Sequence, residues 1–427
     1  MRVMGTGVLG INIVNMVVGA GIFALPGIIA VGLGSAAILA YAVCSVAVAL
    51  VFLCFAEVGS RITRSGGSYA YIEEAFGPFA GFIASVLFWF GWAALSDAGI
   101  AIVMAKTLAI AFPVLDEPLP RALLIIVVLA FLAGVNIRGA GSGIKLFVFN
   151  TIAKLVPLIM LVIVGLFAVN IEYLKITQWP TLHSVGTGAV LLFFAFGGAE
   201  TALNVSGEIK NPSRTVPLGL LFGLTALLAL YIGLQTVAQG VLGPELANNT
   251  AAPLAAAAKV VFGEWGAKML LVGTVISIFA CISGDMLNTP RLVFASALDG
   301  LMPRVLGKVH PKYKTPYVAI IFFATVIAIT AISGTFKPVA VVASGSILTI
   351  YAGVSLAVIR LRQRDGMPGP GQFTLPFGPT IPILSFLFIG WLLFQLTREE
   401  AITFAALVAV AIAIYAVRAL LRGKSAG

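Results

Sequence analysis

Charge is scarce in this chain. Of 427 residues only 10% are charged and 16 are acidic, against 60% hydrophobic and a mean hydropathy of +1.09. A soluble domain averages about 25% charged residues, so this composition leaves no room for one. Histidine and cysteine are nearly absent: His183 and His310 fall in loops, and Cys44, Cys54 and Cys281 fall within apolar runs. No His, Cys or acidic cluster has metal-ligand spacing, so no metal, no cofactor and no enzymatic catalysis are expected. A structural disulfide is not expected either. No low-complexity tail or appended regulatory domain is expected. The net charge of +10 does not point to nucleic acid, because the bases are scattered over loops without stacking aromatics. Nothing in the sequence marks a required protein partner.

Long apolar runs are what the chain does have, and runs of 18 or more residues mark helices that span a bilayer. Twelve spans are expected, near 5–33, 36–60, 78–112, 119–138, 142–169, 184–206, 216–242, 265–298, 315–333, 336–362, 379–397 and 401–422. The first is too long for a removable signal peptide and no small-residue cleavage site follows it. With both termini in the cytoplasm, eighteen of the 26 lysines and arginines fall on the inner side and six on the outer, with Lys106 and Lys154 in the membrane. The expected protein is therefore an all-α, multi-pass protein of the cell (inner) membrane, with the lipid bilayer as its surroundings. The turn-rich stretch Gly366–Gly371 divides a ten-helix core, residues 1–362, from two peripheral helices and a tail, 379–427, with 363–378 as linker. Repeats at about 5–169 and 184–362 would be related by inversion, because five spans is an odd number.

Two spans carry glycines where a helix should be continuous. The first reads Asn15-Met16-Val17-Val18-Gly19-Ala20-Gly21-Ile22-Phe23-Ala24-Leu25-Pro26, and the sixth Phe193-Phe194-Ala195-Phe196-Gly197-Gly198-Ala199-Glu200. Unpaired backbone groups cost several kcal/mol each in hydrocarbon, so such breaks are tolerated only when buried in protein or lining a cavity. Paired breaks at matching places in two halves point to a transporter's substrate site. At the first, freed N–H groups of Ala20, Gly21 and Ile22 at a helix N-terminus suit a carboxylate. At the second, the carbonyls of Phe194, Ala195 and Gly197 suit an ammonium. Together they describe an α-amino acid. Close helix packing through small residues is the alternative for either glycine pair taken alone.

Lys154 lies about twelve residues into its span, roughly 18 Å from the inner end, too deep to reach water easily. An intramembrane lysine is a functional residue by default. It can stand in for a bound sodium ion, exchange a proton, or brace the broken helix. Asp97, in mid-span, and Glu200, after the second glycine pair, are the other deep acids. Each is either a proton carrier or a satisfied structural group: Asp97 bonded within the bundle, Glu200 capping freed N–H groups. Glu57, Lys106 and Asp285 are expected near helix ends or water, without a special role. Phe194 and Phe196 immediately precede the second break, and Ser277 sits one helix face into the eighth span.

Four ordered stretches resemble the amino acid-polyamine-organocation superfamily over nearly the whole chain. They are Gly19–Phe23 with Pro26, Ser65–Tyr71, Phe194–Glu200, and Asp299–Pro303 followed by His310–Pro316. The resemblance implies a LeuT-like 5+5 inverted-repeat core of ten helices within the twelve, amino acid or amine substrates, and alternating access. It implies that Gly19, Ala20 and Gly21 take the substrate carboxylate, that Phe194 is an aromatic gate, and that the backbone from Ala195 to Gly198 takes the amino group. Lys154 matches the lysine of sodium-independent members, whose ammonium fills the vacated sodium site beside the first break and an eighth-span serine, here Ser277. Asp97 resembles a third-span acid of the cationic amino acid branch. Ala20 departs from the Ser or Thr of many relatives, which removes a hydroxyl from the carboxylate site. Lys154 and Glu200 argue against an arginine-agmatine type exchanger.

The expected function is sodium-independent transport of small-molecule α-amino acids, proton-coupled or by exchange. A polyamine or amine transporter and, in another class, a channel are the alternatives.

Overall fold

The computed structural model describes residues 5–19, 21–62, 67–139, 144–200, 211–298 and 302–424, with the backbone alone at 144–150, 212 and 418–424. Every regular element among them is helical. The first expected span is two helices, α1 (Thr6–Val17) and α2 (Gly21–Leu33), and α3 (Ala37–Arg61) follows through one 3₁₀ turn. An unexpected helix, α4 (Gly67–Phe76), stands where the sequence suggested only a loop, and its Ser68, Ala70 and Tyr71 are buried. The third span combines α5 (Pro78–Val86), a π-helical stretch (Leu87–Ala94) and α6 (Leu95–Ala109). Next come α7 (Pro118–Ile137), α8 (Ile144–Gly165) and α9 (Leu182–Phe196), then α10 (Pro212–Leu242). A short α11 (Pro253–Phe262) precedes α12 (Glu264–Leu298), α13 (Tyr317–Ser333), α14 (Phe336–Asp365), α15 (Thr380–Leu393) and α16 (Arg398–Lys424).

Among the described residues eight segments are long and apolar enough to cross a membrane. One of them, Gly21–Arg61, contains both α2 and α3, and five shorter apolar helices accompany the eight. The helices sort into an inner and an outer set. In the most apolar window of Pro78–Ala109 89% of residues are buried, against 22% for Pro118–Ile137 and 6% for Arg398–Val417. On α7 the exposed residues include Leu123, Ile126, Val127 and Phe131, a surface that water would penalise and hydrocarbon accepts. Inside, α1 packs on α10, α2 and α3 on α9, and α14 on α3, α6 and α9. Tyr41, Tyr71, Tyr231, Tyr351 and Lys154 are among the largest side chains buried there.

Glu57 is not near water, as expected from its place at the end of α3, but fully buried. Arg362 of α14 grips it with two hydrogen bonds, Nε to Oε1 at 2.7 Å and a terminal nitrogen to Oε2 at 2.5 Å, and the Leu375 N–H adds a third at 2.7 Å. Ser60 Oγ, one turn along α3, accepts from the Phe373 N–H at 3.1 Å. These bonds fasten the linker after α14 to the end of α3. Lys106, by contrast, is exposed on α6. Removing one partner of a buried ion pair costs about 3–5 kcal/mol, while replacing both by apolar groups is close to neutral. Glu57→Leu alone should therefore lower the thermal midpoint of the purified protein more than the Glu57→Leu, Arg362→Met double variant does. A double variant as unstable as the sum of the singles would contradict this account.

Candidate functional site

The two breaks meet. α1 ends at Val17, Val18 leaves the helical region with ψ 87°, and α2 begins at Gly21. α9 ends at Phe196, Gly197 is extended, and Gly198 takes φ +115°, a conformation that glycine alone adopts without strain. A Cβ on Gly21 would lie 3.0 Å from Ala195 Cα, and one on Gly198 would lie 2.9 Å from the Met16 carbonyl oxygen. Backbone therefore touches backbone at both glycines, and close packing is part of their role.

The polar groups freed by the breaks find partners from other helices. The Lys154 ammonium, from α8, donates to the Asn15 carbonyl and, at 2.9 Å, to the Val18 carbonyl. Tyr231, from α10, places its hydroxyl 3.1 Å from the Val17 carbonyl and 2.8 Å from that of Ala195, donating its single proton to the pair. Glu200 accepts the Gly198 N–H at 3.1 and 3.2 Å and the Tyr351 hydroxyl at 2.7 Å. Gly198 N–H would otherwise have continued α9 by bonding Phe194, so Glu200 takes the helical donor away from the Phe194 carbonyl. The Ala195 carbonyl expected to face an ammonium is instead engaged by Tyr231.

Between the breaks lies a cavity of about 130 Å³. Gly19, Gly21, Lys154, Phe194, Ala195, Gly197 and Gly198 line it, and so bring together most of the residues singled out in the sequence. Ile22 and Phe196 do not line it: both are buried, and Phe196 packs on Tyr231 with ring centroids 4.9 Å apart. Ala20 lies outside the described residues. The Phe194 ring is held edge-on to Trp92 at 6.1 Å and to Phe336 at 5.4 Å. The first-turn N–H groups of α2 carry no helical acceptor and sit at the positive end of its dipole, a setting for a carboxylate.

Two expectations are overturned. Ser277 is not a partner of Lys154; its hydroxyl is buried without a hydrogen bond, and the electrostatic neighbour of Lys154 on α12 is Cys281, one turn further along. Asp285 is no end residue: α12 continues to Leu298, and Asp285 lines the cavity. Asp97 is fully buried on α6 with no donor to either carboxylate oxygen. Trp92, Ser96 and Ile100 of the third span also line the cavity. The π stretch, which contains Trp92 and precedes Ser96 and Ile100, is a feature frequent at functional sites and has no sequence signature that would have singled them out. Among the described residues no group of three or more His, Cys, Asp or Glu could hold a metal ion.

A family model described as amino acid permease matches residues 9–417. The chain belongs to the amino acid permease family. This places it in the amino acid-polyamine-organocation superfamily, as a multi-pass membrane transporter. The permease is 28% identical to the serine/threonine exchanger SteT of Bacillus subtilis (strain 168) over 385 residues, covering 87% of this chain and 86% of that one. It is equally similar, at 28%, to the methylthioribose transporter and to the branched-chain amino acid permease BcaP of the same organism. Each of those alignments covers 94% of this chain and 90% of the relative.

Two glycines give opposite predictions for the permease. Gly21→Leu should abolish uptake in proteoliposomes, because its side chain meets Ala195 and fills the N–H-lined pocket; unchanged uptake by well-folded protein would remove the site from this place. A Cβ on Gly284 meets nothing within 4 Å. Gly284→Ala should then keep or raise the thermal midpoint, since alanine gains up to about 1 kcal/mol over glycine in a helix. It should also slow uptake of larger substrates first, measured across a labelled amino acid panel.

Proposed function

We propose that this permease moves α-amino acids across a bacterial inner membrane by alternating access, without sodium, either by exchange or with a proton. The observation that carries the reading is the Lys154 ammonium set against the Asn15 and Val18 carbonyls. A cation site built from first-break carbonyls needs one positive charge, and a covalently attached ammonium supplies it permanently. The chain thereby spares the ion that sodium-driven relatives are expected to hold there. The α2 N-terminus at Gly21 favours a substrate carboxylate, which speaks for amino acids over polyamines. Phe194, in this reading, is the aromatic gate, and its carbonyl, from which Glu200 diverts the Gly198 N–H, is an acceptor for the α-ammonium. Two of the similar proteins bear names that specify serine, threonine or branched-chain amino acids, which is in keeping with this substrate class.

The proposed architecture is twelve spans: a LeuT-like core within residues 1–362, built from inverted repeats near 5–169 and 184–362, and two peripheral helices in 379–427. Both termini then face the cytoplasm, a placement that the lysine and arginine distribution supports.

Uptake should proceed equally in sodium, potassium and choline buffers, and a strict sodium requirement would sink the role given to Lys154. Lys154→Ala leaves two buried carbonyls without their donor, at about 1–3 kcal/mol each. It should thus cut uptake at least about tenfold, the equivalent of 1.4 kcal/mol. An amino acid should compete for uptake and its decarboxylated amine should not; equal competition by the amine would favour the polyamine reading.

A further inference from the structure

Lys154, Tyr231 and Glu200 all have partners in the scheme above. Asp97 and Asp285 have no part in it. Asp97 is wholly buried and neither of its oxygens has a donor. Its carboxyl lies within electrostatic reach of that of Asp285, across the contact between α6 and α12. Asp285 in turn lines the cavity, where Asn15 Oδ1 is a second buried oxygen without a donor.

Among the described residues no free base answers the pair. Lys154, which shares the cavity wall, spends its ammonium on the first-break carbonyls. Cys281 stands beside Asp285 on α12, and Glu200 reaches Asp285 from the second break while itself held by Gly198 and Tyr351. Among the described residues the elements packed on α12 bring no other charge to this depth: Arg121 and Lys259 stand at the ends of α7 and α11, Arg304 stands on the 3₁₀ turn Arg304–Gly307 beyond the end of α12, and α13 carries none. On the helices around Asp97, Lys106 and Lys337 are likewise at ends. Two carboxylates side by side in such a wall repel, and one proton held between them relieves the repulsion.

We infer that Asp97 and Asp285 form a proton-sharing carboxyl pair and that this pair carries the coupling proton of transport. The inference rests on the transport reading and narrows its two modes to one. Asp285 faces the cavity and exchanges with water: an O–H bond forms when it takes a proton from hydronium on one side of the membrane. The same bond breaks when it returns the proton to water on the other side. Asp97, out of the cavity's reach, holds the hydrogen bond that a protonated Asp285 donates. A cationic substrate side chain is the rival occupant. The cavity disfavours it, since about 130 Å³ is close to the ≈ 150 Å³ that holds one benzene and leaves little space for a lysine or arginine beside its own carboxylate.

The test uses the purified full chain in proteoliposomes containing a trapped pH-sensitive dye, with alanine, serine, leucine, lysine and arginine as probes. Wild type should acidify the lumen as substrate enters, one proton per amino acid. Asp285→Asn and Asp97→Asn should lose that acidification while counterflow exchange persists at a reduced rate, and Asp285→Glu should keep it. Either Asn variant suffices if the other fails to fold, because a shared proton is lost with either acid. Acidification that survives in a folded Asn variant overturns the proposal. So does loss confined to lysine and arginine while neutral amino acids still bring protons, which would make the pair a side-chain subsite. Wild-type exchange without acidification overturns the proton role and leaves the transport reading standing, whereas a wild type that moves none of the probes removes both.

Discussion

Everything at the centre of this protein follows from one constraint: a peptide group in hydrocarbon must have a hydrogen-bond partner. Interrupting α1–α2 and ending α9 at Phe196 releases such groups in the most buried part of the bundle. Lys154 and Tyr231 answer the carbonyls of the first break, Tyr231 also answers Ala195, and Glu200 with Tyr351 answers the second. These four side chains come from α8, α10, the segment after α9, and α14, so satisfying two short stretches of backbone fixes the relative positions of four elements. Each of the four is itself at most 2% exposed. A charge or hydroxyl that deep is tolerated because its partner is also a group that cannot be left alone.

The close approach of the breaks has the same origin. With glycine at 21 and 198 the two backbones come into contact, which lets Tyr231 span both. A methyl group at either position would separate them by a few tenths of an ångström and lengthen one of its two contacts. The glycines thus act twice, by permitting the interruption and by permitting the repair.

The sequence made the apolar helical character, the two breaks and the burial of Lys154 legible, because glycine pairs and a lysine stand out in apolar runs. What it concealed was rotation about helix axes. Ser277 and Cys281 lie on the same face of α12, one turn apart, and no pattern decides which of them meets Lys154. Asp285 belongs to that same face, at positions 277, 281 and 285, and recognising this spacing would have drawn it into the site. Trp92, Ser96 and Ile100 were hidden by the π stretch from Leu87 to Ala94, which holds Trp92 and whose wider turn shifts Ser96 and Ile100 relative to a regular helix. Glu57 was misjudged for a different reason: its partner is 305 residues away, and only the folded chain brings Arg362 beside it.

That distant pairing has a bearing on how the chain would withstand cutting. The tip from Gly366 to Gly371 is mostly exposed, while Phe373 and Leu375, just beyond it, are hydrogen-bonded to Ser60 and Glu57 of α3. A protease meets an accessible, glycine- and proline-rich bend that borders a fastened segment. A nick within the bend would leave α14 ion-paired to α3 on one side and the Leu375 segment bonded to the same carboxylate on the other. The two fragments would migrate together until a denaturing detergent parted them, so an intact-looking particle is no proof of an uncut chain.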